Sequence, residues 1–147
     1  MSAEVIFKKL EQIGNLLDEL DKLLNRSFND FEKDMVLVRA AERNFQLAVE
    51  IAVDINTHIL IKETKKTPDT YRQSFSDLKK LGALKGDFVG DLEKSARLRN
   101  ILVHEYDFEE DYKKFFESAK ELLPAYHNYL AQIYDYAKKS KQKIRYH

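Results

Sequence analysis

Apolar residues recur at intervals of three and four through most of this chain, which is the spacing of an amphipathic helix. The first such segment predicts a helix at about residues 3–25, and a second uninterrupted segment, without Gly or Pro, predicts another at about 31–61. Within Val36–Ile61, 16 of 26 residues are apolar, which is too many for a single stripe. That excess predicts a helix that is central in a bundle, or one with a second buried face that could pack against another subunit.

Three further helices are predicted in the second half of the chain, at about residues 71–81, 87–103 and 109–139. A polar linker, Lys62–Pro68, precedes the short one, and Gly82 is its natural stop because glycine is favoured just after a helix C-terminus. Pro124 predicts a kink in the last helix. The expected fold class is all-α: an up-and-down four-helix bundle with one short extra helix.

The chain divides into two predicted parts. Its 147 residues suit one domain, and the helical pattern assigns residues 1–137 to it. Residues 138–147 form a basic tail with five cations and no acid. That tail is either a frayed, solvated helix end or an arm that touches RNA, since cations are common in the last turn of a helix.

Composition excludes several classes of protein. Lys+Arg and Asp+Glu balance at 25 each, so any nucleic-acid site must be a local patch. The absence of Cys excludes disulfide scaffolds and Cys nucleophiles and fits a reducing compartment. The longest uncharged run, Leu122–Tyr134, has 13 residues, too few to span a membrane, and charge appears too early for a secretory signal. We therefore expect a cytoplasmic protein without a membrane partner.

Common catalytic motifs are missing. The sequence has no Gly-rich phosphate loop, no His-Glu-x-x-His and no Gly-x-Ser-x-Gly. The histidines show no metal-ligand spacing with one another: they are His58, His104, His127 and His147. The sequence therefore predicts neither a metal nor a cofactor.

One polar cluster interrupts the apolar pattern of the predicted 87–103 helix and the residues after it. Arg99, Asn100, His104 and Tyr106 surround the apolar run Ile-Leu-Val. On a continuous helix Arg99 and His104 lie about 140° apart, whereas Arg99 and Tyr106 lie about 20° apart. Arg99 and His104 of one chain therefore converge only if the helix ends near His104 or a second chain contributes. From spacing alone, a helix-end cap at His104 and a surface ion pair at Arg99 remain an alternative.

The string at Arg99–Tyr106, Arg-Asn-x-x-x-His-x-Tyr, resembles the R-x4-H-x-Y motif of HEPN-domain toxins of the HepT type. Arg39–Asp54 is similar to the second helix of that family, and Pro68–Gly82 contains segments similar to its connecting region. The similarity extends over about residues 4–136.

The resemblance implies a homodimeric, metal-independent endoribonuclease toxin, usually paired with a minimal nucleotidyltransferase antitoxin of the MntA type. It assigns catalysis to Arg99 and His104, contributed by both subunits at a shared cleft, with Asn100 in support. It also makes Tyr106 the residue that the nucleotidyltransferase adenylylates, which silences the toxin.

The chemistry of these residue types agrees with the implied reaction. Cleavage of RNA without a metal uses the 2′-OH to attack the neighbouring phosphate, which requires a proton acceptor, a proton donor and a fixed cation. A histidine side chain can fill either proton-transfer role. The guanidinium of arginine is always charged, and its planar fork can hold two phosphate oxygens.

Three charged residues of the second predicted helix are possible supports for this site. Arg43, Glu50 and Asp54 lie on one polar stripe. Glu50 and Asp54 either orient Arg99 or Arg43 across a helix interface, or only balance charge on that helix.

Two other functions remain open at this point. A HEPN-like bundle without catalysis could serve its nucleotidyltransferase as a docking or substrate-presenting subunit. A helical oligomerisation protein with no role in RNA chemistry is the third possibility.

Overall fold

The structure, a computed structural model, describes residues 1–104 and 112–145. Within those residues the chain forms four long helices, two short ones and no strand. They are α1 (Ala3–Leu24), α2 (Phe28–Lys33), α3 (Met35–Thr64), α4 (Tyr71–Leu81), α5 (Val89–His104) and α6 (Tyr112–Arg145). The all-α fold class predicted from the sequence is confirmed.

The four long helices form an up-and-down bundle. α1 packs against α3 and α6, and α5 packs against the same two helices from the other side, while α4 covers α3 and α5. Asn44 of α3 donates to Glu19 of α1, and the N-terminal amine lies beside His58, so α1 and α3 are antiparallel. Arg99, in the C-terminal half of α5, lies beside Glu50 in the middle of α3.

Side-chain caps define where the helices begin. Ser2, Ser27, Asp34 and Thr70 each accept a hydrogen bond from a backbone N–H of the first helical turn. The short helix α4 ends where the sequence predicts, because Gly82 adopts a left-handed conformation (φ 88°) and its N–H bonds back to the last turn.

The prediction of one uninterrupted helix over 31–61 is wrong. Asp34 divides it, because its backbone is extended (φ −114°, ψ 99°) and its carboxylate caps α3 by accepting from the N–H of Leu37 at 3.2 Å. The described residues therefore contain two short helices and not one. α3 also continues to Thr64, into the predicted linker, and ends at Lys65 in a left-handed conformation.

The last helix extends beyond its predicted end at 139. α6 continues to Arg145, inside the segment predicted to be a tail, and Lys141 forms an ion pair of 2.6 Å with Glu4 of α1. Residues 109–111, the predicted start, lie outside the described residues. The helical assignment runs through Pro124, and the kink there stays a prediction, as does the division into residues 1–137 and 138–147.

The core is lined by aromatic side chains from α2, α3, α4 and α6. Tyr126 and Tyr129 of α6 are fully buried and packed against each other, with ring centroids 6.0 Å apart.

Among the described helices, none combines the length and the apolar character that crossing a membrane requires.

Candidate active site

Arg99 is the centre of the polar cluster that the sequence singled out. It lies in the C-terminal half of α5, and only 13% of its side chain is exposed. Its Nη2 donates to Oε1 of Glu50 at 2.6 Å, and its Nη1 donates to Oδ1 of Asn100 at 3.2 Å. Glu50 and Asn100, both expected near this site, are thus placed in direct contact with the guanidinium.

Glu50 reaches Arg99 from the middle of α3, across the interface between α3 and α5. Its Oε1 also accepts a hydrogen bond of 3.2 Å from Nε2 of Gln46, one turn earlier in the same helix. Burial raises the pKa of Glu50, but the hydrogen bonds from Arg99 and Gln46 and the charges of Arg99 and Arg43 outweigh burial and lower that pKa below its usual value. Glu50 is therefore ionised at neutral pH and balances the charge of Arg99.

The other two charges of the α3 stripe are placed differently. Arg43 is exposed and acts on Glu50 only through its charge. Asp54 is exposed and makes no hydrogen bond or ion pair with any residue that the structure describes. Glu50 and Asp54 were the two acids expected to orient an arginine. In the described part of the chain only Glu50 contacts an arginine, and that arginine is Arg99.

Tyr71 is a contact of Arg99 that the sequence analysis missed. The guanidinium carbon of Arg99 lies over the ring of Tyr71, 4.5 Å from its centroid, which is a cation–π arrangement. Tyr71 is the first residue of α4, and its spacing alone places it on the apolar face of that helix. No local sequence signal identifies the contact, because it joins two helices that are separated by a loop.

The described part of one chain does not bring His104 to Arg99. His104 is the last residue of α5 as described and is exposed. Since Arg99 and His104 belong to the same helix and are five residues apart, their side chains lie about 140° apart around its axis. Tyr106 lies outside the described residues.

A second basic and acidic pair lies on α3 towards the end of the bundle where α5 reaches His104. Nη1 of Arg39 donates to Oε1 of Glu42 at 2.8 Å, and the guanidinium of Arg39 lies 5.9 Å from the ring centroid of Tyr112 in α6. The Glu42 side chain is buried. Among the described residues, no group of three or more His, Asp or Glu side chains could hold a metal ion.

Comparison with known proteins identifies the family. The model of the family described as "HepT-like: Ribonuclease HepT-like" matches residues 13–133. The tRNA nuclease HepT of Aphanizomenon flos-aquae is 36% identical over 132 residues, covering 90% of this chain and 89% of that protein. The mRNA nuclease HepT of Shewanella oneidensis is 26% identical over 103 residues, covering 70% of this chain and 77% of that protein.

Solved structures show the same fold. The tri-AMPylated HEPN toxin of Shewanella oneidensis, solved in complex with MNT antitoxin, superimposes with a TM-score of 0.77 at 23% identity, over 88% of this chain and 96% of that chain. These comparisons confirm the resemblance drawn from the motif, and with it the ribonuclease class of enzyme. Because the family model covers most of the chain and a curated relative is 36% identical over 90% of it, this chain belongs to the HepT-like ribonuclease family.

Proposed function

We propose that this chain is the toxin of a HEPN/nucleotidyltransferase toxin–antitoxin pair, and that it cleaves RNA without a metal ion. The observation that carries the proposal is a mostly buried, permanently charged guanidinium, Arg99, held by Glu50 and Asn100 five residues before an exposed histidine. The names of the relatives support the same activity, since both are RNA nucleases. The proposal implies a cytoplasmic protein, because its substrate is RNA.

Arg99 would bind the scissile phosphate. Arginine has five N–H donors, and the contacts with Glu50 and Asn100 use two of them, so further donors remain for phosphate oxygens. A guanidinium fixed before the substrate arrives can stabilise the negative charge that grows on phosphorus without having to reorganise. The contact between Asn100 and Nη1 supports a positioning role for that side chain.

His104 would transfer the protons. The 2′-oxygen attacks the neighbouring phosphorus, the bond from phosphorus to the 5′-oxygen breaks, and the products carry a 2′,3′-cyclic phosphate and a 5′-hydroxyl. One imidazole accepts the proton of the 2′-OH, and another donates a proton to the leaving 5′-oxygen. Two copies of the His104 imidazole are available only if two chains meet at one cleft.

The angle between Arg99 and His104 supports the proposal of a homodimer. If these side chains face different sides of α5, a twofold axis beside that helix could combine Arg99 of one chain with His104 of the other. Light scattering at micromolar concentration should give the mass of a dimer. A monomer that cleaves RNA at full rate would rule out the composite cleft.

The test of catalysis compares Arg99→Ala and His104→Ala with two matched controls. Arg97→Ala removes an exposed arginine from the same helix, and His127→Ala removes an exposed histidine from α6. We expect the first two variants to lose about 10²–10⁴-fold in cleavage rate with unchanged helical circular dichroism. The controls should keep most of the activity.

The mechanism itself is tested on the wild-type protein. EDTA should leave the rate unchanged, and an RNA with a single 2′-deoxy position at the cleavage site should stay intact there. Activity that disappears with EDTA and returns with a divalent metal would contradict the proposal. Cleavage at the 2′-deoxy position would contradict attack by the 2′-oxygen.

The antitoxin partner is proposed to be an MntA-type nucleotidyltransferase that adenylylates Tyr106. The solved relative that is a tri-AMPylated toxin bound to MNT antitoxin supports this proposal. Adenylate phosphates near Arg99 would compete with the RNA backbone for the guanidinium and repel it. With the cognate enzyme and ATP, intact-mass analysis should show additions in adenylate-sized steps that are absent from Tyr106→Phe but present in Tyr112→Phe. If Tyr106→Phe is modified and silenced like the wild type, Tyr106 is not the switch.

A further inference from the structure

We propose that Tyr71 is a positioning residue for Arg99, and that its aromatic ring, not its hydroxyl, is the part the site uses. The inference rests on the proposed function only in that Arg99 is taken to bind the scissile phosphate. The contact itself is a feature of the structure: the guanidinium carbon lies 4.5 Å from the centroid of the ring.

The contacts of Arg99 divide into two kinds. Glu50 and Asn100 bind the Nη atoms by hydrogen bonds, and these fix the guanidinium within its own plane. The ring face of Tyr71 lies 4.5 Å from the guanidinium carbon and blocks movement of the guanidinium towards α4. Nε of Arg99 is buried and has no hydrogen-bond partner among the described residues. Among the contacts of Arg99 with the described residues, the ring is the one on that side of the guanidinium.

The backbone of Tyr71 is itself fixed by a buried chain of hydrogen bonds. Ser74 Oγ donates to the carbonyl of Tyr71 at 2.7 Å, and Nδ2 of Asn56 donates to Ser74 Oγ at 3.0 Å. The hydroxyl of Tyr129 donates to Oδ1 of Asn56 at 2.7 Å. All three side chains, from α4, α3 and α6, are 0% exposed. This network sets the depth at which the first turn of α4 lies against α3.

α5 is tied to the same part of α6. The hydroxyls of Ser95 and Tyr126 lie 2.7 Å apart in the core, and Ser95 precedes Arg99 by one helical turn. Tyr126 and Tyr129 are themselves one turn apart on α6. The helix that carries Tyr71 and the helix that carries Arg99 are therefore located by two adjacent tyrosine hydroxyls. Because hydrogen bonds are directional, such a network fixes the position of one helix along another, which apolar packing alone does not specify.

The ring, not the hydroxyl, is the functional part for a geometric reason. The hydroxyl of Tyr71 makes no hydrogen bond to any residue that the structure describes, whereas the ring face contacts a cation. A phenyl ring offers nearly the same negative face, and a leucine offers similar packing volume without it.

The test uses Tyr71→Phe, Tyr71→Leu and, should leucine disturb folding, Tyr71→Met. Steady-state cleavage of a labelled RNA should give the phenylalanine variant a kcat within about twofold of wild type. The leucine and methionine variants should lose about 3- to 30-fold, mainly in kcat, which is the range of a partly buried cation–π contact. The unfolding midpoint of each variant is measured beside its rate. A variant that loses kcat but keeps the wild-type midpoint indicates a positioning role, whereas a parallel loss of both indicates a packing role.

A second readout does not depend on catalysis. The Nε–H proton of Arg99, assigned by its loss in Arg99→Lys, should be shifted in the NMR spectrum by the current of the nearby ring. That shift should persist in Tyr71→Phe and vanish in Tyr71→Leu. The two readouts distinguish failure of this inference from failure of the proposed function.

The outcomes are as follows. If Arg99→Ala abolishes cleavage but Tyr71→Leu keeps the wild-type kcat, the positioning role is overturned while the proposed function stands. If Tyr71→Phe is as impaired as Tyr71→Leu, the ring is not the part that acts, and the inference fails. If Arg99→Ala cleaves like the wild type, the proposed function fails, and an NMR shift that disappears in Tyr71→Leu supports the contact alone.

Discussion

Replacing Glu50 with glutamine removes the negative charge that faces Arg99 but keeps an amide oxygen that can accept the same hydrogen bond. The two side chains are 13% and 26% exposed, and their N–O distance is 2.6 Å. Exposed ion pairs contribute about 0.2–1 kcal/mol, whereas breaking a fully buried pair costs about 3–5 kcal/mol. The Arg99–Glu50 pair is partly buried and lies between those limits. In Glu50→Gln the amide oxygen of the glutamine can still accept the hydrogen bond from Arg99, so only the attraction between the two charges is lost.

We therefore expect Glu50→Gln to lower the free energy of unfolding by about 1–2 kcal/mol at pH 7. For a chain of this size the melting temperature should fall by about 2–8 °C. The cleavage rate should fall by about 10- to 100-fold, because a loosened guanidinium no longer meets the phosphate in one geometry.

The matched control is Asp54→Asn, which removes the same charge one turn further along α3. Asp54 is exposed and has no polar contact with a described residue, so both stability and cleavage should stay at wild-type values. Urea unfolding and initial rates on a labelled RNA measure the two effects. If Glu50→Gln cleaves as fast as the wild type, or faster, Glu50 does not orient Arg99 and the reasoning is refuted.

The remaining predictions concern pH and the scaffold. Folding lowers the pKa of Glu50 below its usual value of 4.5, so the stabilisation that ionised Glu50 gives the folded protein is fully present above about pH 5.5. The difference in unfolding free energy between wild type and Glu50→Gln should therefore shrink as the pH falls below about 5.5. A difference that grows on acidification would contradict this prediction. Tyr129→Phe leaves Asn56 without its donor and should cost about 1–3 kcal/mol in urea unfolding, whereas Tyr134→Phe, at an exposed ring, should be neutral. Gly82→Ala should lower the free energy of unfolding by about 1–2 kcal/mol, because φ is +88° at that position. Gly90 is an equally open position with an ordinary φ, so Gly90→Ala should leave the melting temperature unchanged or slightly higher. Equal effects of the two substitutions would exclude backbone strain as the cause.

The helices were predictable from the sequence where local signals agreed with one another. α1 and α4 begin and end within a residue of their expected bounds, because apolar periodicity, capping residues and Gly82 all mark the same limits. The break at Asp34 was missed because apolar residues continue on both sides of it and no Gly or Pro interrupts them. Its only sequence signal is an N-cap residue before an apolar run, which is weak inside a strong helical pattern.

The end of α6 depends on a contact that local patterns do not reveal. The lysine-rich segment after residue 137 resembles a frayed end, since it is charged and lacks apolar spacing. In the structure Lys141 pairs with Glu4 at the opposite end of the sequence. Only the fold brings those two residues together.

The candidate site was predictable to the extent that its residues belong to a motif or a stripe. Arg99 and Asn100 belong to the motif, and Glu50 belongs to the charged stripe of α3. Tyr71 carries no such signal, because an aromatic residue on the inner face of a helix is most often part of a core. The contact with Arg99 depends on where α4 lies on α3 and α5. The buried hydrogen bond from Asn56 to Ser74 helps to fix α4 against α3, and a hydrophobic pattern treats both of these polar residues as interruptions.

Stability alone does not explain why Arg99 is buried between helices. Removing a guanidinium and a carboxylate from water is costly, and apolar residues of similar volume in place of a buried pair are often neutral or stabilising. Apolar residues are thus a common alternative at such an interface. A ribonuclease that works without a metal, by contrast, needs a cation whose position is set before charge develops on the phosphate. Three packed helices hold a side chain to a narrower range of positions than a loop does. The placement of Arg99 among α3, α4 and α5 therefore agrees with its proposed role in binding the scissile phosphate, a role that the folding of the bundle does not require.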